Sequence, residues 1–546
     1  MMDSTNMEIK TIAVAKDVLV LGGGLVGLHT AKAIADLGYP VLLAAASETT
    51  GVAAETLPLA GSDAEQLEAL MAQARATEQI EILNQTQLAG VAGMPGDFRV
   101  WLETRQEVTE KQVGAIVVAG DVAVRPLNEL YGLALNDSVV SQSQLEARLA
   151  ADAAQMSGKT IAFLFGLAQP GLPLNMERLF RSVLTLTEVK DCTVYIYAGD
   201  LKVASDELER LYLQTRDKGA LYFKLKQAPS ISQENGRLNV TYDDPVILKQ
   251  IELQADLVVV DEAIEGDAAF GGLAEMLRVD LSPSGFMQTD NVHRYPVATN
   301  REGIYVVGGS RQAPNLKGAW LDAQNAALQV STLLGDGHRQ VSTATTLDAG
   351  KCTFCLTCYR CCPHGAIYWE NESNTIISAT ACQSCGICAS ECPMDAIQIG
   401  GFSDAEMKAR IKASTAQQSQ APKIVAFCCQ NSAFEAGRMA TEFKMALPQG
   451  LQLVQVPCAG KVDLDYILTA FVEGADGVVV MACHPGNCKS ERGNTYAGWR
   501  VTEAQRMLAE IGMPAEKLRF VTLAANMGSE FARIVNALEA DLKAGS

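Results

Sequence analysis

Cysteine is almost absent from the first 350 residues of this 546-residue chain. Cys192 stands alone there, and the other fourteen of fifteen lie beyond it. Positive charge is also short, 44 Lys and Arg against 63 Asp and Glu, for a net charge of −19. A protein that grips a phosphate backbone carries a basic face, so nucleic acid is not expected as a partner. No run reaches the ~18 consecutive apolar residues of a membrane span. Met1–Lys10 is polar and acidic, with no basic segment leading into an apolar core, which predicts no signal peptide. These absences point to the cytoplasm, where structural disulfides are not favoured. The cysteine-rich end therefore needs another reason. With 48% hydrophobic and 20% charged residues the chain has material for ordinary cores. Its length predicts about three to five domains.

Residues 17–44 read as strand, glycine turn, helix, strand, and α/β alternation continues to about residue 157, ending on an amphipathic helix at Gln142–Met156. A second α/β unit starts at Thr160–Phe165 and includes strands at Thr193–Tyr197 and Leu257–Val260. Thr299–Gly309 is a turn feeding a strand, followed by a long helix to about Leu334. Residues 351–400 are short and loop-like. Ser403–Gln420 is polar and reads as a short helix plus linker. From Lys423 onward, strands at Ile424–Phe427, Leu451–Val456, Val478–Ala482 and Phe520–Leu523 alternate with helices, which predicts a small parallel sheet.

The strongest pattern is a repeat. Cys352, Cys355, Cys358 and Cys362 precede Pro363; thirty residues on, Cys382, Cys385, Cys388 and Cys392 precede Pro393. Both runs read C-x2-C-x2-C-x3-C-P, the spacing of two-cluster bacterial ferredoxins, in which the fourth cysteine ligates the other cluster. One 4Fe-4S cluster is then expected on Cys352, Cys355, Cys358 and Cys392, and the other on Cys382, Cys385, Cys388 and Cys362. The competing reading, paired structural zinc sites, does not need eight thiols at a doubled spacing. Cys361 reads as a packed extra thiol.

Five more cysteines follow. Cys428-Cys429, Cys458 and Cys483 each follow an expected strand, and Cys488 lies on the loop Cys483-His484-Pro485-Gly486-Asn487-Cys488. Carboxyl ends of parallel strands share one edge of an open α/β sheet, where such sheets hold ligands. Four thiols, Cys429, Cys458, Cys483 and Cys488, are expected to converge there. Four thiolates suit a 2Fe-2S cluster; zinc or merely buried cysteines are the alternatives. Cys428 competes with Cys429 for its place, and His484 reads as shaping the loop.

Gly22-x-Gly24-x-x-Gly27 follows a strand and opens a helix, the context in which a glycine turn admits a pyrophosphate. Ala45 stands where an acid would hold the ribose, and Glu48 is the nearest acid. The second unit offers only Gly166-x-Ala168-x-x-Gly171, a degenerate version.

These residues resemble known families. Residues 16–340 resemble a two-dinucleotide-domain flavoprotein of the heterodisulfide reductase A-subunit type. The resemblance is carried by the turn at 22–27, by Val113-Gly114-Ala115-Ile116-Val117-Val118-Ala119 and by Thr299–Gly309. The ferredoxin repeat follows, as in that family. Residues 422–546 resemble the delta subunit of methyl-viologen-reducing hydrogenase. The matching pieces are Ala426-Phe427-Cys428-Cys429, Cys458-Ala459-Gly460-Lys461-Val462-Asp463, Glu473-Gly474-Ala475-Asp476-Gly477-Val478 and the Cys483–Cys488 loop. The fusion is similar to the B subunit of quinone-interacting oxidoreductases. The departures are Ala45, Ala119-Gly120-Asp121 where the family has Ala-Thr-Gly, no cysteine in residues 46–157, and Gln430-Asn431-Ser432 where the delta family has a third cysteine.

The resemblance implies an α/β chain. A FAD-type dinucleotide-binding domain is expected at 1–157 and 281–340, with a second dinucleotide-binding-like domain inserted at 158–280. A two-cluster ferredoxin domain (α+β) follows at 348–402, a linker at 403–421, and a small parallel α/β 2Fe-2S domain at 422–546. It also implies FAD, with Gly308 and Gly309 joining Gly22, Gly24 and Gly27 around it. The function implied is electron relay between the subunits of a redox complex, with a hydrogenase, a formate dehydrogenase, a heterodisulfide-reductase-like module or a quinone-linked module as partner. The alternatives are a self-contained NAD(P)H:acceptor oxidoreductase and a flavin-free scaffold that only carries clusters.

Overall fold

The computed structural model describes residues 9–48, 61–234, 237–244, 246–342, 344–370, 374–416 and 421–544. Residues 417–420 of the expected linker lie outside them.

Two parallel sheets repeat one plan. The first runs Ile304–Val306, Ala115–Val118, Val18–Leu21, Val41–Ala45, Ile80–Asn84. Alternate residues serve its two faces. Val18, Val20, Val41 and Leu43 pack on helices Leu25–Asp36 and Leu316–Leu334. Leu19, Leu42, Ile116 and Val118 pack on Phe98, Val100 and Leu102 of an antiparallel three-stranded sheet, Gln87–Met94, Asp97–Glu103, Val108–Val113. Covering on both faces explains why these strands are continuously apolar.

The second sheet runs Val139–Ser141, Leu257–Val260, Thr160–Phe165, Thr193–Ala198, Leu221–Lys224, again parallel. It packs Pro173–Thr187 on one face and its own antiparallel sheet, Ser230–Glu234, Arg237–Asp244 and Lys249–Ala255, on the other. Val139–Ser141 and the capped helix Gln142–Asp152 belong to this unit, which therefore begins before the expected residue 158. An antiparallel pair, Val122–Pro126 with Glu262–Gly266, ties the units together.

The cysteine repeat folds as two interleaved halves. Thr345–Leu347 pairs with Ile397–Ile399, and Ile367–Glu370 with Asn374–Ile377, so each small sheet is closed within residues 345–399. The last domain is a four-stranded parallel sheet in the order Leu451–Val456, Ile424–Cys429, Gly477–Ala482, Leu518–Thr522. Helix Asp404–Thr415, expected within a linker, instead sends Met407 and Ile411 into this domain's core beside Val425 and Phe427. Each such side chain, fully buried, stabilises by about 1.5–3 kcal/mol, enough to hold an otherwise polar helix in place.

Candidate functional site

The ferredoxin repeat is a repeat of backbone shape as well as sequence. Positive φ recurs at Phe354 and Ser384, at Leu356 and Gly386, and at Gly365 and Asp395, each pair thirty residues apart. Left-handed residues interspersed with right-handed ones turn successive N–H groups inward, the nest that holds anionic clusters. Ala366 N–H reaches Cys362 Sγ at 3.4 Å, and its counterpart Ala396 N–H reaches Cys392 Sγ at 3.3 Å. Cys382 Sγ is met by Ser384 N–H at 3.4 Å and lies 3.2 Å from Thr345 Oγ1.

The eight thiols sort into two sets. Cys358, pushed up to about 11 by burial, feels Cys352, Cys355 and Cys392 as its charged neighbours. Cys385, pushed up to about 12 by burial, feels Cys362 and Cys382, and Cys388 feels Cys385, Cys362, the extra thiol Cys361 and Cys382. Cys362, Cys382, Cys385 and Cys388 line one small cavity with Ile367, Ile377 and Ile399. The fourth cysteine of each run thus sits with the other run's first three. Two cations stand beside Cys362. Arg301 is buried, and burial and Arg278 lower it to about 10. Arg278 stacks on the Tyr359 ring at 4.2 Å. Neither has a carboxylate partner among the described residues, so both are available to balance an anionic cluster.

In the last domain, strand alternation sends the paired cysteines to opposite faces of the sheet. Cys429 faces the core that holds Cys458, Cys483 and Cys488; Cys428 faces the opposite core beside Met481 and Phe531. Cys429 Sγ lies 3.7 Å from Cys483 Sγ. Cys458 and Cys483 both perturb Cys429, and both perturb Cys488, so the four thiols are close neighbours in a ring. These neighbours hold Cys429 and Cys488 well below the ordinary thiol range and push Cys458 and Cys483 above it. Thiols so lowered are ready ligands. Among the described residues, no three His, Cys, Asp or Glu side chains are grouped as ligands of one metal ion; the four sulfurs are neighbours around a ring. A Cβ on Gly493 would lie 2.2 Å from Cys458 Sγ and 3.5 Å from Cys488 Sγ, so that glycine keeps the space beside the ring open. His484 is turned away, with Nδ1 2.9 Å from Thr522 Oγ1.

The two thiol regions abut. A Cβ on Gly386 would meet the Lys461 side chain at 2.8 Å, and one on Gly460 would meet Ile387 at 2.6 Å. Lys461 is buried, with Nζ 3.0 Å from Asp404 Oδ1. Ser390 Oγ donates to Lys461 O at 2.7 Å, and Arg500 pairs with Glu391.

The glycine turn of the first unit is built for close approach. Gly22 has φ +126°, and a Cβ there would lie 2.2 Å from Ala119 O; one on Gly27 would lie 1.8 Å from Gly22 O. Gly24 caps helix Leu25–Asp36. Gly308-Gly309-Ser310 closes on the same place: a Cβ on Gly309 would lie 2.7 Å from Gly120 O, and Gly120 N–H donates to Ser310 Oγ at 2.7 Å. Ala45 is buried at its strand end, and Glu48 lines an adjacent cavity with Gln85, Glu103 and Arg105. Gly24 offers no side-chain cap, leaving the first N–H groups of that helix open to a phosphate, which fits a dinucleotide there.

The second unit's turn is already occupied by its own chain. Gly166 N–H donates to Asp261 Oδ2 at 2.7 Å, Tyr131 OH donates to Asp261 Oδ1 at 2.9 Å, and Ala168 N–H donates to Tyr131 Oη at 3.2 Å. Sequence reasoning missed Asp261, Tyr131 and Gly493. None belongs to a motif, and each matters only through a partner distant in the chain.

Residues 424–544 match the family described as methyl-viologen-reducing hydrogenase, delta subunit, and residues 375–398 match the 4Fe-4S binding domain. The iron-sulfur D subunit of the F420-non-reducing hydrogenase of Archaeoglobus profundus is 32% identical over 122 residues, 22% of this chain and 89% of that protein. Through its last domain the chain belongs to the hydrogenase delta subunit family. The larger part is similar to the A subunit of the ferredoxin/F(420)H(2)-dependent CoB-CoM heterodisulfide reductase of Methanosarcina acetivorans. The two are 24% identical over 464 residues, 81% of this chain and 58% of that protein, so the chain spans little more than half of that relative. Among solved structures, the thioredoxin reductase of T. acidophilum covers 58% of this chain and 98% of its own at 15% identity and a TM-score of 0.39. Among the described residues, no helix is long and apolar enough to cross a membrane.

Proposed function

We propose that this protein is the iron–sulfur flavoprotein subunit of a cytoplasmic, heterodisulfide-reductase-like redox complex, relaying electrons between a partner oxidoreductase and another acceptor. The observation that carries it is the sorting of twelve thiols into three sets of four, with the ring of Cys429, Cys458, Cys483 and Cys488 packed against the set of Cys362, Cys382, Cys385 and Cys388. When bound, two 4Fe-4S clusters and one 2Fe-2S cluster supply one-electron carriage and FAD supplies exchange between electron pairs and single electrons.

The chain's own residues do the rest. Cys352, Cys355, Cys358 and Cys392 hold one 4Fe-4S cluster, and Cys382, Cys385, Cys388 and Cys362 the other. Nest N–H groups and Arg278 and Arg301 balance negative charge. Ile387, Gly460 and the stem of Lys461 exclude water between neighbouring sites and fix their spacing. Gly22, Gly24, Gly27, Gly308 and Gly309 admit the flavin's phosphates. The partner belongs to a hydrogenase, formate dehydrogenase, heterodisulfide reductase or quinone-linked module, in keeping with the relatives' names. A self-contained NAD(P)H oxidoreductase is disfavoured, because Asp261 and Tyr131 take the donors that a second pyrophosphate needs. Redox titration of the anaerobically purified full chain, followed by electron paramagnetic resonance, tests the reading. Three distinct iron–sulfur centres are expected, with no reduction by NADH or NADPH; a single centre, or rapid reduction by NADPH, would overturn it.

A further inference from the structure

A cleft of about 660 Å³ opens between the first dinucleotide-binding unit and the ferredoxin domain, within the size range of small-molecule sites. It is not the flavin cradle. Val14 and Arg301 on its wall precede the parallel strands Val18–Leu21 and Ile304–Val306, whereas Gly22 and Gly308 of the cradle follow them. The two sites therefore lie at opposite ends of one sheet.

The cleft is cationic in a chain of net charge −19. Arg99, Arg278 and Arg301 line it, and among the described residues Asp97 is the one acidic side chain on its wall. Asp97 Oδ1 already accepts from Gln112 Nε2 at 2.6 Å. Arg278 Nη2 donates to Tyr359 O at 3.2 Å, and Arg301 Nη1 donates to Leu277 O at 2.9 Å. Carbonyls fix these two guanidiniums in place but leave their charge uncompensated. Arg99 is exposed and, like the other two, has no carboxylate partner among the described residues. Beside them stands an aromatic wall. Trp369 lines the cleft, is 43% exposed, and meets Tyr359 edge-on with ring centroids 4.9 Å apart. Behind it, Ile367 and Ile377 line both this cleft and the cavity of Cys362, Cys382, Cys385 and Cys388. One layer of side chains separates the two.

We propose that this cleft binds a flat aromatic anion, a small molecule with a fused ring and one or two acidic groups. The guanidiniums hold the acid and Trp369 stacks on the ring. Its position makes the occupant a neighbour of the Cys362 set. Binding itself needs no metal; only its expected spectroscopic effect rests on the cluster reading above.

The test titrates naphthalene-2,6-disulfonate into the anaerobic full chain by calorimetry, with ethane-1,2-disulfonate as the same charge without the ring. One site per chain is expected for the first and none for the second. Arg99→Glu and Trp369→Leu are each expected to weaken binding about tenfold, while Trp369→Phe, which keeps a ring, restores most of it. In the reduced chain, the naphthalene probe is expected to alter the paramagnetic signal of the centre on Cys382, Cys385, Cys388 and Cys362. No binding, equal binding of the two disulfonates, binding that survives both Arg99→Glu and Trp369→Leu, or an unchanged signal of that centre would overturn the proposal. Probe binding that follows the expected pattern in a chain purified without iron would instead overturn the cluster reading and leave this proposal standing.

Discussion

Gly493→Ala sets two ordinary effects against each other. Gly493 is the first residue of helix Gly493–Glu510, where alanine is the better helix former. Relief of glycine's conformational cost is worth about 0.5–1 kcal/mol in a helix interior and less at its first residue. The methyl group, however, would sit 2.2 Å from Cys458 Sγ, where ordinary contact begins at 3.4 Å. The sulfur or the helix must give by about 1 Å, nearly half of a metal–thiolate bond of about 2.3 Å. Cys458 has nowhere to turn, being 2% exposed and crowded by Gly493. Overpacking of this kind costs about 1–3 kcal/mol, so the steric term wins. The variant is expected to fold, keep the eight irons of the ferredoxin domain and lose about two irons per chain together with the ring's paramagnetic signal. Iron analysis and spectroscopy on matched anaerobic samples decide it. An unchanged iron content and an unchanged ring signal would refute the claim that this glycine guards a cluster.

Three further outcomes follow from the same geometry. Cys392→Ser is expected to destroy the centre whose other ligands are Cys352, Cys355 and Cys358 and spare the one on Cys382, Cys385, Cys388 and Cys362; spectroscopic loss of the second instead would show the crossed assignment wrong. Gly27→Ala places a Cβ 1.8 Å from Gly22 O and is expected to abolish flavin content while iron is retained, read by flavin release on denaturation. Burial pushes the Asp261 carboxyl up to about 6 from an unfolded value near 3.8. Its contribution is therefore fully present below the unfolded value and lost as pH rises through about 6, a cost of about 3 kcal/mol at neutral pH. Asp261→Asn, which can still accept from Gly166 N–H and donate to Tyr131, is expected to raise thermal stability at pH 7.5 and to do so far less at pH 5; an equal effect at both would count against the shifted carboxyl.

The sequence made the thiol sites legible because ferredoxin ligands lie on two local loops whose spacing is itself the geometry. The ring was legible for a different reason: parallel strands deliver their carboxyl ends to one edge, so cysteines after three successive strands, with Cys488 on the loop after the third, are brought to one place. Cys428 and Cys429 stayed ambiguous because alternation says they face opposite ways but not which face holds the ligand. The docking of helix Asp404–Thr415, though not the helix itself, was hidden by its polarity, since only Met407, Ile411 and Thr415 are buried. Val139–Ser141 is too short a strand to announce which sheet it joins. The plug at the second glycine turn could not be read at all: Gly166 and Asp261 lie 95 residues apart, and nothing local in either marks the other.

The central claim is that one chain carries three iron–sulfur centres and a flavin. Quantitation of iron, acid-labile sulfide and flavin on one anaerobically purified sample tests it most directly. The account predicts about ten irons, about ten sulfides and one FAD per chain. About eight irons with zinc in the ring, or ten irons with no flavin, would contradict it, the second leaving the glycine turn of the first unit as scaffold alone.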